Sequence, residues 1–172
     1  MLRLCLILIL FVATPKAFAE LDGYKLAAGD TITIHVYGQD DLSVTSKIDK
    51  SGVIKYPFIG SVPLTGKTTE QVNKFITAAL MDGYLVKPEV HVYVSEYRPF
   101  YIHGQVKKPG AFAYQPGLIL SKAIALAGGL TERASSTWIL KRTLNQQSRS
   151  LKADEQTEIL PGDIITVEQS FF

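Results

Sequence analysis

The segment Leu26-Ala27-Ala28-Gly29-Asp30-Thr31-Ile32-Thr33-Ile34-His35-Val36-Tyr37 reads as a turn running into a strand. Ile32, Ile34 and Val36 alternate with Thr31, Thr33 and His35, the period of a strand with one face buried. Gly29 can take a positive φ and Asp30 can bond its own neighbouring backbone, so the pair starts the strand from a tight turn. The pattern returns near the other end as Leu160-Pro161-Gly162-Asp163-Ile164-Ile165-Thr166-Val167. Two copies with unlike sequence between them are too few for a solenoid. They predict two small α+β modules.

In the first module Asp49-Lys50-Ser51-Gly52 is a turn between Val44–Ile48 and Val53–Phe58, and these strands join the first in a small antiparallel sheet. Thr68-Thr69-Glu70-Gln71 fits a capping box. Val72, Phe75, Ile76, Ala79 and Leu80 then share one helical face, predicting a helix on the sheet. Val90, Val92 and Val94 form a closing strand, and Arg98-Pro99 marks the boundary. The second module opens with Phe100–Val106, and Lys107-Lys108-Pro109-Gly110 predicts a type II turn into a partner strand at Ala111–Tyr114. Leu120, Ala123, Ile124 and Ala127 share the face of a helix that stops at Gly128-Gly129. Trp138–Arg142 and Ile164–Val167 read as further strands.

The first nineteen residues stand apart. Arg3 precedes an apolar run, Leu4 to Ala13, followed by Pro15 and Ala17-Phe18-Ala19, the order of an export signal. Ten apolar residues rise only about 15 Å as a helix, half a bilayer's hydrocarbon core. Cleavage is expected between Ala19 and Glu20. Cys5, the only cysteine, lies at the start of the apolar run and not at the cleavage point after it, so the mature chain is expected to carry no thiol and no lipid anchor of its own. The expected divisions are 1–19 as signal, 20–97 and 98–172.

Of 172 residues, 47% are hydrophobic and 20% charged, which suits a folded chain. The net charge of +2 comes from Arg3 and Lys16, so the rest is formally neutral and offers no footprint for nucleic acid. Gly66-Lys67-Thr68 lacks the spacing of a phosphate loop. His35, His91 and His103 show no metal-ligand spacing. No G-x-S-x-G elbow is present, so no catalytic, cofactor or metal residue is assigned and no cofactor is expected. The carboxylate pairs Asp40-Asp41 and Asp154-Glu155 leave one enzymatic alternative, a carbohydrate-active enzyme working through two acids. Tyr93, Tyr97, Phe100 and Tyr101 gather at the boundary between the modules, where aromatic faces stack on sugar rings or fill an interface.

The chain resembles the outer-membrane polysaccharide export (Wza-type) family. Tyr24-Lys25-Leu26 with Gly29-Asp30, Asp49-Lys50-Ser51-Gly52-Val53-Ile54 and Val62-Pro63-Leu64-Thr65-Gly66-Lys67-Thr68 are similar to its export domain. Ile102-His103-Gly104-Gln105-Val106 with Pro109-Gly110, Ala127-Gly128-Gly129-Leu130-Thr131 and Gly162–Val167 are similar to its SLBB (soluble ligand-binding β-grasp) domain. The resemblance implies a non-enzymatic role in capsule or exopolysaccharide export, as a periplasmic component associated with the outer membrane. It implies a homo-oligomeric ring, a polysaccharide cargo and an inner-membrane chain-length regulator or copolymerase as partner. The fullest members add a lipoprotein cysteine, more SLBB modules and a C-terminal amphipathic helix. A separate outer-membrane β-barrel is the expected source of a pore here.

Overall fold

The computed structural model describes residues 23–144 and 147–170. The expected signal and its Ala19–Glu20 cleavage point lie outside the described residues. The fold is α+β, with two hydrophobic cores that share no residue.

The first core is closed by a three-stranded antiparallel sheet in the order β2-β1-β5. Here β1 is Thr31–Val36, β2 is Val44–Lys47 and β5 is Val90–Glu96. The alternation read from the sequence turns Ile32, Ile34 and Val36 inward, each fully buried. Asp49–Gly52 does not close a hairpin between its flanking strands. It hands the chain to a separate two-stranded unit, β3 (Val53–Tyr56) paired with β4 (Gly60–Pro63). That unit adds Ile54, Tyr56 and Val62 to the core, and the Tyr56 hydroxyl donates to the Leu42 carbonyl at 2.6 Å.

Helix α1, Thr69–Met81, begins with the capping box in place: Gln71 N–H donates to Thr68 Oγ1, and Thr68 N–H to Gln71 Oε1. Its buried stripe is Val72, Ile76 and Leu80, narrower than the sequence implied. Phe75 is 42% exposed. On the same helix Asn73 Nδ2 donates to the Val90 carbonyl of β5 at 2.6 Å.

The second core lies under a five-stranded mixed sheet ordered β7-β6-β10-β8-β9. These strands are β6 (Phe100–Gly104), β7 (Gly110–Phe112), β8 (Ala134–Leu144), β9 (Gln147–Ala153) and β10 (Ile164–Gln169). Helix α2, Leu120–Leu126, buries Leu120, Ala123 and Ile124. The last strand enters between the first and third, parallel to β6 and antiparallel to β8. Hairpin, helix, hairpin and a central final strand make a β-grasp topology.

The predicted type II turn at Pro109-Gly110 is not formed. Its third position needs a positive φ, and Gly110 is absent from the positive-φ glycines, instead opening β7 opposite Ile102. The positive φ falls at Gly104, +91°, where a Cβ would lie 2.1 Å from the Val167 carbonyl oxygen. Chain reversal therefore begins earlier, where β6 crosses close to β10.

Candidate functional site

The two Gly-Asp turns are built alike. In Ala27–Asp30 and in Leu160–Asp163 the Asp N–H donates to the first residue's carbonyl, at 3.2 and 3.1 Å. The first residue's N–H returns a bond to the Asp Oδ2, at 2.9 and 2.7 Å. The third residue is Gly29 or Gly162, with φ of +99° and +86°. Each aspartate carbonyl then accepts from a neighbouring segment, Ile48 N–H for Asp30 and Tyr101 N–H for Asp163, both at 2.8 Å. By this geometry Ala27 and Leu160 are equivalent, one residue away from the Leu26–Leu160 match that sequence alone suggests.

Asp30 and Asp163 are the buried charged residues among those described, and each has an arginine. A buried carboxylate is tolerated only when paired and fully hydrogen-bonded. Asp163 receives Arg142 in a fork: Nε donates to Oδ1 at 3.0 Å and Nη2 to Oδ2 at 2.7 Å. Asp30 is held by Arg98, whose backbone N–H donates to Oδ1 at 2.9 Å and whose Nη1 donates to Oδ2 at 3.1 Å. Arg98 Nη1 also donates to the Tyr24 hydroxyl, which itself donates to Asp30 Oδ2.

Arg98 joins the two modules. A Cβ at Gly29 would lie 3.1 Å from Arg98 Cβ, and a Cβ at Gly162 would lie 2.7 Å from Arg98 Nε. One side chain thus runs between both turns. Beside it Tyr97 stands edge-on to Tyr24 of the first module, at 5.1 Å, and to Tyr114 of the second, at 5.3 Å. Burial, then the Asp30 carboxylate, pushes the Tyr24 and Tyr97 hydroxyls above their ordinary value. Burial, then Glu158, does the same for Tyr114, whose hydroxyl is buried without a partner among the described residues.

An open groove of about 780 Å³ runs from Tyr24 and Tyr97 along the first module, between the start of α1 and the edge strand β5. That volume falls within the roughly 300–1,000 Å³ of small-molecule clefts. Its lining includes Thr68–Gln71, Lys74 and residues 91–94. Glu70 and Lys74 form an exposed ion pair on the rim, which holds the Glu70 carboxyl below its usual value.

The four aromatic candidates do not form one cluster. Tyr93 and Tyr97 line the groove. Phe100 is fully buried and stacks on Phe112 in the second core, so it packs rather than contacts a ligand. Tyr101 is 45% exposed on the second sheet. Gly52 lies against Thr65, and Gly128 and Gly129 follow α2 with positive φ. His35 and His91, far apart in sequence, are direct cross-strand partners. No group of three or more metal-type ligands occurs among the described residues. Asp40 and Asp41 form an exposed 3-10 turn of the first module, whereas Asp154 and Glu155 are exposed in the second, and none of the four lines the groove. Arg98 and Arg142 escaped sequence reasoning, because their aspartates lie 68 and 21 residues away.

Residues 19–95 match the family model described as polysaccharide biosynthesis/export protein, and residues 99–148 match the SLBB domain. The chain thus carries a polysaccharide export domain over its first module and an SLBB domain in its second. It is 29% identical to the exopolysaccharide production protein ExoF of Rhizobium meliloti, over 86% of this chain and 38% of that one. It is 26% identical to the polysialic acid transport protein KpsD of Escherichia coli, over 72% and 23%. It is 29% identical to the EPS I polysaccharide export outer membrane protein EpsA of Ralstonia nicotianae, over 88% and 49%. The chain thus spans between about a quarter and a half of the length of these relatives. No helix among the described residues is long and apolar enough to cross a membrane.

Proposed function

We propose that this chain is a periplasmic component of a capsule or exopolysaccharide export machine, an oligomeric conduit between the inner-membrane synthesis complex and the outer membrane. The observation that carries the reading is the order of the two modules, export domain then SLBB domain, shared in sequence with relatives named for polysaccharide export or transport. The domain division we propose is 20–97 and 98–172, with the change at Arg98, and the export signal is residues 1–19. The site carries no role as an acid–base pair in this reading: the groove's one carboxylate, Glu70, is held by Lys74.

Assembly is supported by an exposed apolar cluster at one end of the first module. The Phe58 and Tyr84 rings meet at a tilt, 5.1 Å apart, while 68% and 50% exposed, and Met81 and Val86 flank Tyr84 in sequence at 56% and 96%. Phe58 is the non-glycine residue with a positive φ among those described, +61°. A bulky residue held there at a cost of about 1–3 kcal/mol, with its ring in water, suits a contact surface. Deleting the chain from its strain should leave polymer inside the cell envelope, and restoring it should return polymer to the surface. Normal surface polymer in the deletion strain would overturn the export reading.

A further inference from the structure

The groove beside β5 has a chemistry that neither module match assigns. Since the Tyr37 N–H bonds to the Glu89 carbonyl, Glu89 points its backbone groups toward β1. By strand alternation His91 and Tyr93 do the same, while Val90, Val92 and Val94 point theirs away from β1. Asn73 takes the Val90 carbonyl. Val92 and Val94 remain at the sheet edge, and both line the groove. Val92 as a whole residue is only 7% exposed, its side chain packed in the first core, so it meets the groove over a small area. Alongside, Tyr93 is 45% exposed with the His91 ring 5.8 Å from its own.

Aromatic faces beside N–H and C=O groups that have no partner among the described residues suit a ligand that is apolar on its ring faces and hydroxylated at its edge. We infer that this groove is a glycan subsite, in which a sugar ring of the exported polymer stacks on Tyr93 and its hydroxyls bond to the Val92 and Val94 backbone. This deepens the export reading and rests on it. An added β-strand is the rival occupant of a sheet edge. The free edge spans Val92 to Val94, with Asn73 taking the Val90 end, whereas strands average about 5–6 residues. Such a short edge suits a sugar better than a strand. The rim carries one cation and one anion, Lys74 and Glu70, already paired, so the subsite reads ring shape and hydroxyls more than charge.

The test titrates the full chain with cello-hexaose, malto-hexaose and oligosialic acid, followed by NMR of the His91, Val92, Tyr93 and Val94 signals. At least one sugar should shift those signals, with affinity falling about tenfold in Tyr93→Ala and recovering in Tyr93→Trp. Tyr93 is half-exposed, so neither variant should disturb folding, which circular dichroism verifies. Absence of any shift at β5 with all three sugars and with the strain's own purified polymer would overturn the subsite. So would a Tyr93→Ala chain that changes oligomer size by light scattering without changing sugar binding, since that places a second copy on the edge. Failure here is separable from failure of the export reading: a deletion strain that loses surface polymer but is fully restored by Tyr93→Ala retires the subsite alone.

Discussion

The two Gly-Asp turns share a backbone pattern and a buried aspartate but differ in where the arginine comes from. Arg142 belongs to β8, in the same sheet as the strand that Asp163 starts. Arg98 lies between the modules and grips Asp30 of the first while its stem passes Gly162 of the second. One device therefore locks a module to itself, and its twin locks one module to the next. A short sequence motif sets the need for a cation, and the chain's topology decides which part of the molecule meets it.

Breaking the internal lock should have the largest effect. Asp163→Ala strands Arg142, 19% exposed, and removes the acceptor for Leu160 N–H. Removing one partner of a buried pair costs about 3–5 kcal/mol. Urea unfolding should show the second module losing that much stability. A loss below about 1 kcal/mol would mean the fork is not a structural element.

The inter-module lock should cost less but reach further. Arg98→Ala leaves Asp30 its bonds from Ala27 N–H, residue 98 N–H and the Tyr24 hydroxyl, so the loss is that of a charged hydrogen bond, about 2–3 kcal/mol. Calorimetry should then resolve two transitions where the native chain gives one. Arg98→Lys should restore part of the loss, because the bonds to Asp30 and Tyr24 both leave the single nitrogen Nη1 and an ammonium also carries more than one donor. A single transition in Arg98→Ala would show that the modules are coupled elsewhere.

Gly162→Ala sharpens the comparison by acting in one module and being felt in the other. The added Cβ meets Arg98 Nε at 2.7 Å, and positive φ disfavours alanine, a cost of about 1–3 kcal/mol. Chemical shifts of Tyr24 and Asp30, in the first module, should move. Shifts confined to the second module would sever the proposed link through Arg98.

Much of this arrangement was legible beforehand. Strands β1 and β10, the capping box at Thr68 and, apart from Phe75, the buried faces of both helices follow from short-range periodicity and local hydrogen bonding. Strand β9 was not, because it is exposed from Gln147 to Lys152 and shows no apolar alternation; pairing with β8 alone creates it. The β3–β4 unit was missed for a related reason, since four-residue strands carry too little pattern to name their partners. At the candidate site, Tyr93 and Tyr97 were legible as aromatics near a boundary. Phe100 carried the same signal yet is core, because its neighbours across the sheet, not its sequence context, decide burial. The roles of Arg98 and the β5 edge depend on contacts far apart in the chain.

The smallest expected effect distinguishes the turns by the tyrosines around them. A tyrosine whose folded pKa lies above its ordinary 10.0 adds stability at lower pH, and that stability is lost as pH rises above 10 toward the folded value. Tyr24 and Tyr97 are raised first by burial and then by Asp30, whereas Tyr114 answers to burial and then Glu158. Asp30→Asn keeps most of the burial and removes the negative charge. Ionisation of Tyr24 and Tyr97, followed by NMR of their ring carbons, should then shift to lower pH, while Tyr114 stays where it was. The alkaline limb of stability should begin correspondingly earlier in the first module than in the second. Equal movement of all three tyrosines would show general loosening of the junction, and movement of none would remove Asp30 as the charge that the first turn presents to its neighbours.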